Sequence, residues 1–187
     1  MKFIKLYMFL FSFFSFFSYS NLMANEEAAY EVLQKSDIYE IRKYSNRLAV
    51  ETITSNQNNS FRKLFNYISG NNQANVKIEM TTPVTRIEKK GKMTMQFYLP
   101  GKFNEKNVPS PMTSDVKVII VDGGHYAVIR YSGRSSDKNF IKHKEILQNE
   151  LIKDNISIKS LPIMATYNSP FTLPPLRRNE AMFKINF

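Results

Sequence analysis

Two periods of apolar and polar residues are written along the chain, and they set its elements. Alternation with period two marks strands, and apolar residues at i, i+3, i+4 and i+7 mark helices. "YEIRKY" (39–44) and "RLAVETIT" (47–54) read as strands. A helix follows at about 60–69, where Phe61, Leu64, Phe65 and Ile68 form one apolar face. Asn59 or Ser60 caps its start and Gly70 ends it. Arg62 and Tyr67 flank that face, while Lys63 points away. "NVKIEMTTPVTRIEKKGKMTMQFYLP" (75–100) then reads as a hairpin. Val76, Ile78 and Met80 share one face, and Thr81, Thr82 and Pro83 interrupt the ladder because proline donates no hydrogen bond. Val84 resumes the strand, and beyond a turn at Gly91 the residues Met93, Met95, Phe97 and Leu99 run back along it.

The same order of elements then recurs. "VKVIIVD" (116–122) and "HYAVIRYSG" (125–133) are strands. A helix at 137–153 carries Phe140, Lys144, Leu147 and Leu151 on one stripe, with Asp137 at its positive N-terminal end. Strands follow near "PIMATYN" (162–168) and "EAMFKIN" (180–186). The join, "GKFNEKNVPSPMTSD" (101–115), is rich in Pro, Asn and Ser and reads as a loop. The chain is therefore expected to be one α+β domain made of two β-β-α-β-β-type repeats, about 30–101 and 116–187. The two half-sheets close on each other and leave the helices outside.

The first 24 residues stand apart. Lys2 and Lys5 precede an apolar run from Leu6 to Phe17, and small residues follow at Ser18, Ser20 and Ala24. This is the layout of a secretory signal peptide, 1–24, leaving a domain of 25–187. The run falls short of the roughly 20 residues of a membrane span. Cleavage after Ala24 is preferred to cleavage after Ser20, and an uncleaved membrane anchor is the alternative. The expected location is secreted or periplasmic. Removing Lys2 and Lys5, with no acid, lowers the net charge from +10 to +8. The balance favours an acidic partner: an anionic small molecule, a membrane surface or nucleic acid. With no cysteine in the chain, the fold must hold by packing without disulfides.

Catalytic chemistry finds little support. There is no Cys nucleophile and no "GxSxG" elbow; of the two histidines, His125 begins a strand and His143 lies at the edge of the second helix's apolar stripe. No His/Cys cluster has metal-ligand spacing. "GKMT" (91–94) ends like a phosphate loop, but Arg86 stands where the earlier glycine belongs. Lys and Arg are spread along the chain rather than gathered in one arm, which with export argues against nucleic acid. The chain reads as a non-enzyme.

Four stretches point the same way: "YEIRKYSNRLAVET" (39–52), "SFRKLFNYISGNNQANVKIEMTTPV" (60–84), "MQFYLP…PSPMTSDVKV" (95–118) and "YNSPFTLPPLRRNEAMF" (167–183). Together they resemble the SOUL/haem-binding protein family, over essentially the whole chain beyond residue 24. The resemblance implies a distorted antiparallel β-barrel with two flanking helices. It also implies a binding protein for haem or a related tetrapyrrole, a small apolar anionic ligand; the chain itself is expected to be a monomer. The implied site is a shallow apolar surface on the first helix bordered by the loop before the last strand. On this chain it takes in Arg62, Phe65, Tyr67, Pro170, Phe171, Arg177 and Arg178, with the arginines as candidates to meet the propionates; the alternative for Arg177 or Arg178 is an ion pair to Glu180 or Glu79 within the fold. Binding would use apolar contact and propionate pairing without a histidine ligand. Other readings are a carrier or sensor of another apolar ligand, such as a lipid or pigment, and a basic module touching proteins or a membrane surface.

Overall fold

The computed structural model describes residues 25–187, so the expected signal peptide lies outside the described residues. Strands β1 (Tyr30–Lys35), β2 (Glu40–Tyr44) and β3 (Arg47–Thr54) lead into helix α1 (Gln57–Ile68). Strands β4 (Val84–Lys89), β5 (Lys92–Tyr98), β6 (Lys117–Val121) and β7 (Gly124–Tyr131) lead into helix α2 (Asp137–Lys153). Strands β8 (Ile163–Thr166) and β9 (Asn179–Lys184) close the chain. The strands form one sheet in the order β1-β2-β7-β9-β8-β4-β5-β3-β6, with every pair antiparallel. The sheet curls into a half-barrel backed by the two helices, an α+β fold whose edges are β1 and β6.

The pairing crosses between the two five-element runs. Strand β2 of the first run pairs with β7 of the second, and β6 of the second pairs with β3 of the first. Direct pairing of β4 with β8, Val84 to Thr166 and Ile87 to Ile163, joins the two sets in the middle.

The two faces of the sheet differ in chemistry. The helix side is aliphatic and aromatic. Val50, Leu64, Tyr67, Ile68, Met93, Met95 and Phe97 form the core under α1. Ile41, Ile129, Tyr131, Leu147, Leu151 and Phe183 form the core under α2. Each of the buried aliphatic side chains contributes roughly 1.5–3 kcal/mol. The other face is concave and carries the alternate residues, among them Tyr44, Tyr126, Val128, Ala165 and Met182.

Three local expectations are corrected. The segment 76–80 is not a strand of the sheet. Its backbone is held by side chains and by the helix: Asn72 Nδ2 donates to Val76 O (2.7 Å), Val76 N to Asn72 Oδ1 (3.1 Å), and Ile78 N to Ile68 O (2.7 Å). Helix α1 begins about one turn early, because Asn56 and not Asn59 or Ser60 is its cap, accepting from Asn59 N at 3.2 Å. Strand β1 was not expected. It lies at the sheet edge with almost no buried side chain, so no alternation announces it. Gly70, at φ +111°, ends α1 in the left-handed conformation.

Candidate functional site

The structure divides the residues of the expected ligand surface into those that face out and those that serve the fold. On α1 the inward stripe is Ser60, Leu64, Tyr67 and Ile68. Tyr67 is therefore a core residue, and its hydroxyl donates to Pro109 O at 2.7 Å. Burial pushes that hydroxyl up to about 12. Lys63, expected to point away, pairs with Asp115. Phe61 and Phe65 are the residues that turn outward, at 41% and 46% exposure. Their rings stack on each other with centroids 6.0 Å apart, and Phe61 also meets Phe97 edge-on at 5.2 Å. Arg62 lies exposed beside them, donating to Asn59 Oδ1 at 3.3 Å.

The loop before β9 is likewise mixed. Pro170 and Phe171 are exposed, Phe171 at 94%. Arg177 turns back on its own loop, donating to Thr172 O (2.7 Å) and Pro170 O (2.6 Å), and so shapes the loop. Arg178 pairs with Glu180 and with Glu27, both at 2.9 Å, and lies over the Tyr167 ring at 3.7 Å. Both arginines are thus engaged within the fold. The ladder brings this loop toward α1. Phe97, under Phe61, is opposite Val84, and Val84 is opposite Thr166, where the loop begins. Two strand spacings put the base of the loop roughly 10 Å from the backbone of Phe97, against which Phe61 packs. Beneath the helices Arg86 links their starts, donating to Gln57 Oε1 of α1 at 2.6 Å and pairing with Asp137 of α2.

The histidines are both packed against rings. His143 stacks on Tyr131 at 4.1 Å with its Nδ1 on Asn139 O, and His125 meets Phe187 at 5.8 Å. Among the described residues no group of three His, Cys, Asp or Glu is placed to hold a metal ion, and no helix is long and apolar enough to cross a membrane.

The concave face holds a network of which sequence reading reached only the Arg178–Glu180 pair. Glu180 is fully buried and accepts from Arg42 Nη1 (3.1 Å), Arg178 Nε (3.0 Å) and the Tyr167 hydroxyl (2.7 Å). Arg42, itself 3% exposed, also pairs with Glu40 at 2.8 Å and lies over the Tyr30 ring at 4.3 Å. Burial, with the Glu180 charge beside it, pushes the Tyr167 hydroxyl far above its usual range. Further along the cleft, Arg47 is sandwiched between Tyr44 and Tyr98, at 4.4 and 4.2 Å from the ring centres. A cavity of about 210 Å³ opens there, lined in part by Tyr44, Arg47, Gln96, Tyr126, Ile163 and Met182. The N-terminal end of the domain crosses nearby: Thr82 N donates to Glu26 O, and Gly101 N to Glu26 Oε1.

A curled antiparallel sheet with two helices on one face and a polar, tyrosine-rich cleft on the other defines an α+β half-barrel scaffold. The C-terminal domain of EcmrR shares the fold, with a TM-score of 0.60 at 10% identity, covering 84% of this chain and 98% of that one. An uncharacterized conserved protein from Listeria innocua does likewise, with a TM-score of 0.60 at 10% identity over 81% of this chain and 94% of that one. The family is given by sequence: a family model described as SOUL heme-binding protein matches residues 25–184, and the chain belongs to that family. Heme-binding protein 2 of Homo sapiens is 30% identical over 163 residues, 79% of this chain and 77% of that protein. Its counterpart in Mus musculus is 29% identical over the same length.

Proposed function

We propose that this chain binds haem or a related tetrapyrrole as a ligand, on the outer surface of α1 beside the loop at 168–176. The observation that carries the reading, alongside the family, is the outward Phe61–Phe65 stack with Arg62 next to it. Half-exposed stacked phenylalanines on a helix leave apolar area in water, which a planar macrocycle would cover. Phe171 would close over its other edge. Arg62 is the cation placed to meet a propionate, because Arg177 and Arg178 are already engaged. The site lacks a reactive nucleophile–base pair, so the ligand is held and not transformed. No histidine lies in this constellation, so iron ligation by His is not part of the reading.

Haemin titration of the purified protein, followed at the Soret band, tests it. A saturable shift at micromolar haemin is expected. It should weaken about tenfold in Phe65→Ala and Arg62→Ala, as loss of one apolar wall or one charge-assisted contact predicts. It should persist in the His125→Ala, His143→Ala double variant. No saturable shift, or loss of the shift in the histidine double variant, refutes the reading.

The segment 1–24 supports export to the periplasm or outside the cell, where the chain would bind its ligand as a monomer. N-terminal sequencing of the exported protein should begin at Asn25, and an intact Met1 would sink cleavage. A second, weaker contact is favoured by the loop tip, where Phe171, Leu173 and Leu176 are 94%, 66% and 73% exposed on a basic chain. It would touch anionic membrane surfaces, and its co-sedimentation with anionic vesicles should fall with salt.

A further inference from the structure

We infer a second ligand site, in the concave cleft, for a small organic anion with a flat apolar body. It is separate from the tetrapyrrole surface on the helix side and does not rest on that reading. The carrier of the inference is Arg47. Its guanidinium is held between the Tyr44 and Tyr98 rings, so its position is fixed by stacking. Among the described residues it pairs with no carboxylate, and its buried Nε has no hydrogen-bond partner. This contrasts with Arg42, Arg86 and Arg178, each of which is matched to an acid. A partly buried cation without a counter-charge costs free energy unless an anion joins it.

The surrounding cavity supplies the rest of the recognition. Arg47 sits on its wall, and Lys184 adds a second positive group. Asp122 is the acid on the rim; its side chain is exposed, and its backbone carbonyl accepts from the Tyr126 hydroxyl at 3.0 Å. Ile87, Ile163, Met182 and Pro83 form an apolar wall for a flat ligand body. Gln96 is spent on Glu51 and Thr85, so the head group must be read by the cations. A space of about 210 Å³ is below the roughly 300–1,000 Å³ that drug-sized ligands occupy. That size suits one or two fused rings with a carboxylate better than a macrocycle. A second cavity of about 370 Å³ shares Arg47 and Tyr98 in its lining and reaches the 26–29 segment.

The test uses 2-naphthoate as the anionic probe and 2-naphthamide as its neutral counterpart, titrated into the isotopically labelled protein and followed by amide resonances. Naphthoate should shift resonances of Arg47, Tyr98, Tyr126 and Ile163, and naphthamide should bind about tenfold more weakly or not at all, the loss of one charge-assisted contact. Arg47→Met should remove naphthoate binding while haemin titration is unchanged. Should Arg47→Met fold poorly, Arg47→Lys keeps the charge without the planar stack and should bind weakly at the same residues. Equal binding of the two probes, unchanged naphthoate binding in Arg47→Met, or shifts confined to α1 and residues 168–178 would each overturn the inference. Failure of the haemin titration alone would leave this site standing.

Discussion

Replacing Glu180 with glutamine keeps its size and removes its charge, and the consequence is set by what the carboxylate holds. Arg42 is 3% exposed and meets Glu180 at 3.1 Å through Nη1. Its other acidic partner is Glu40, which is partly exposed at the edge of the cleft. Breaking a buried ion pair from one side costs about 3–5 kcal/mol, because the remaining charge is left in a poorly solvating place. Glu40 offsets part of that, so a loss of about 3 kcal/mol is expected for Glu180→Gln. With a urea m-value of about 2 kcal/mol/M, the midpoint should fall by about 1.5 M. The assay is urea unfolding at neutral pH followed by far-UV circular dichroism, with m compared between variants. Adding Arg42→Met to Glu180→Gln removes the stranded charge and should recover part of the loss. A cost below about 1 kcal/mol for the single variant, or a double variant that is simply additive, refutes the reasoning.

Other outcomes follow from single contacts. Tyr67→Phe should cost about 0.5–1.5 kcal/mol through loss of its bond to Pro109 O, and should leave haemin binding unchanged, since Tyr67 is core. Tyr39, Tyr44 and Tyr67 are each pushed up to about 12, chiefly by burial, while the unfolded chain titrates near 10. Because the folded state holds those protons more tightly, stability is intact below pH 10 and lost as pH rises toward 12. Melting temperatures that stay flat from pH 9.5 to 11.5 would contradict this. Gly123→Ala places a Cβ at 2.4 Å from Tyr44 O and 2.7 Å from the Ser45 carbonyl carbon. That overlap with backbone should cost about 1–3 kcal/mol in urea unfolding, and a neutral substitution would mean the β2–β3 turn yields freely.

How much the sequence announced depended on whether the relevant contacts are local. Helix α2 was readable from end to end because Asp137 and the Phe140, Leu147 and Leu151 stripe are local signals; its cap, Ser136, is one more that the sequence offered unread. On α1 two stripes share Leu64 and Ile68, one with Phe61 and Phe65, the other with Ser60 and Tyr67. Spacing favours the phenylalanines by hydrophobicity, but the fold buries Tyr67, whose hydroxyl finds a carbonyl 42 residues away. Val76 and Ile78 alternate as a strand would, yet Asn72 takes the backbone groups that a neighbour would have paired. The concave network was hidden for a related reason. Arg42, Tyr44, Arg47, Gln96, Tyr98 and Glu180 each occupy the polar half of an alternating strand, which ordinarily means a face toward water. Only the curl of the sheet turns those faces inward toward one another.

The crossed pairing of β2 and β6 makes the molecule resistant to being halved. If a protease cut the 102–115 connector, each fragment would still carry a strand hydrogen-bonded into the other's sheet. The β4–β8 seam would hold them as well. The cut ends would part, but the body would not. Neither fragment alone could complete its ladder, so a half-length product would expose three orphaned strand edges and invite pairing with another chain. The chain therefore behaves as a clasp: it must be made whole, but once made it tolerates a broken link.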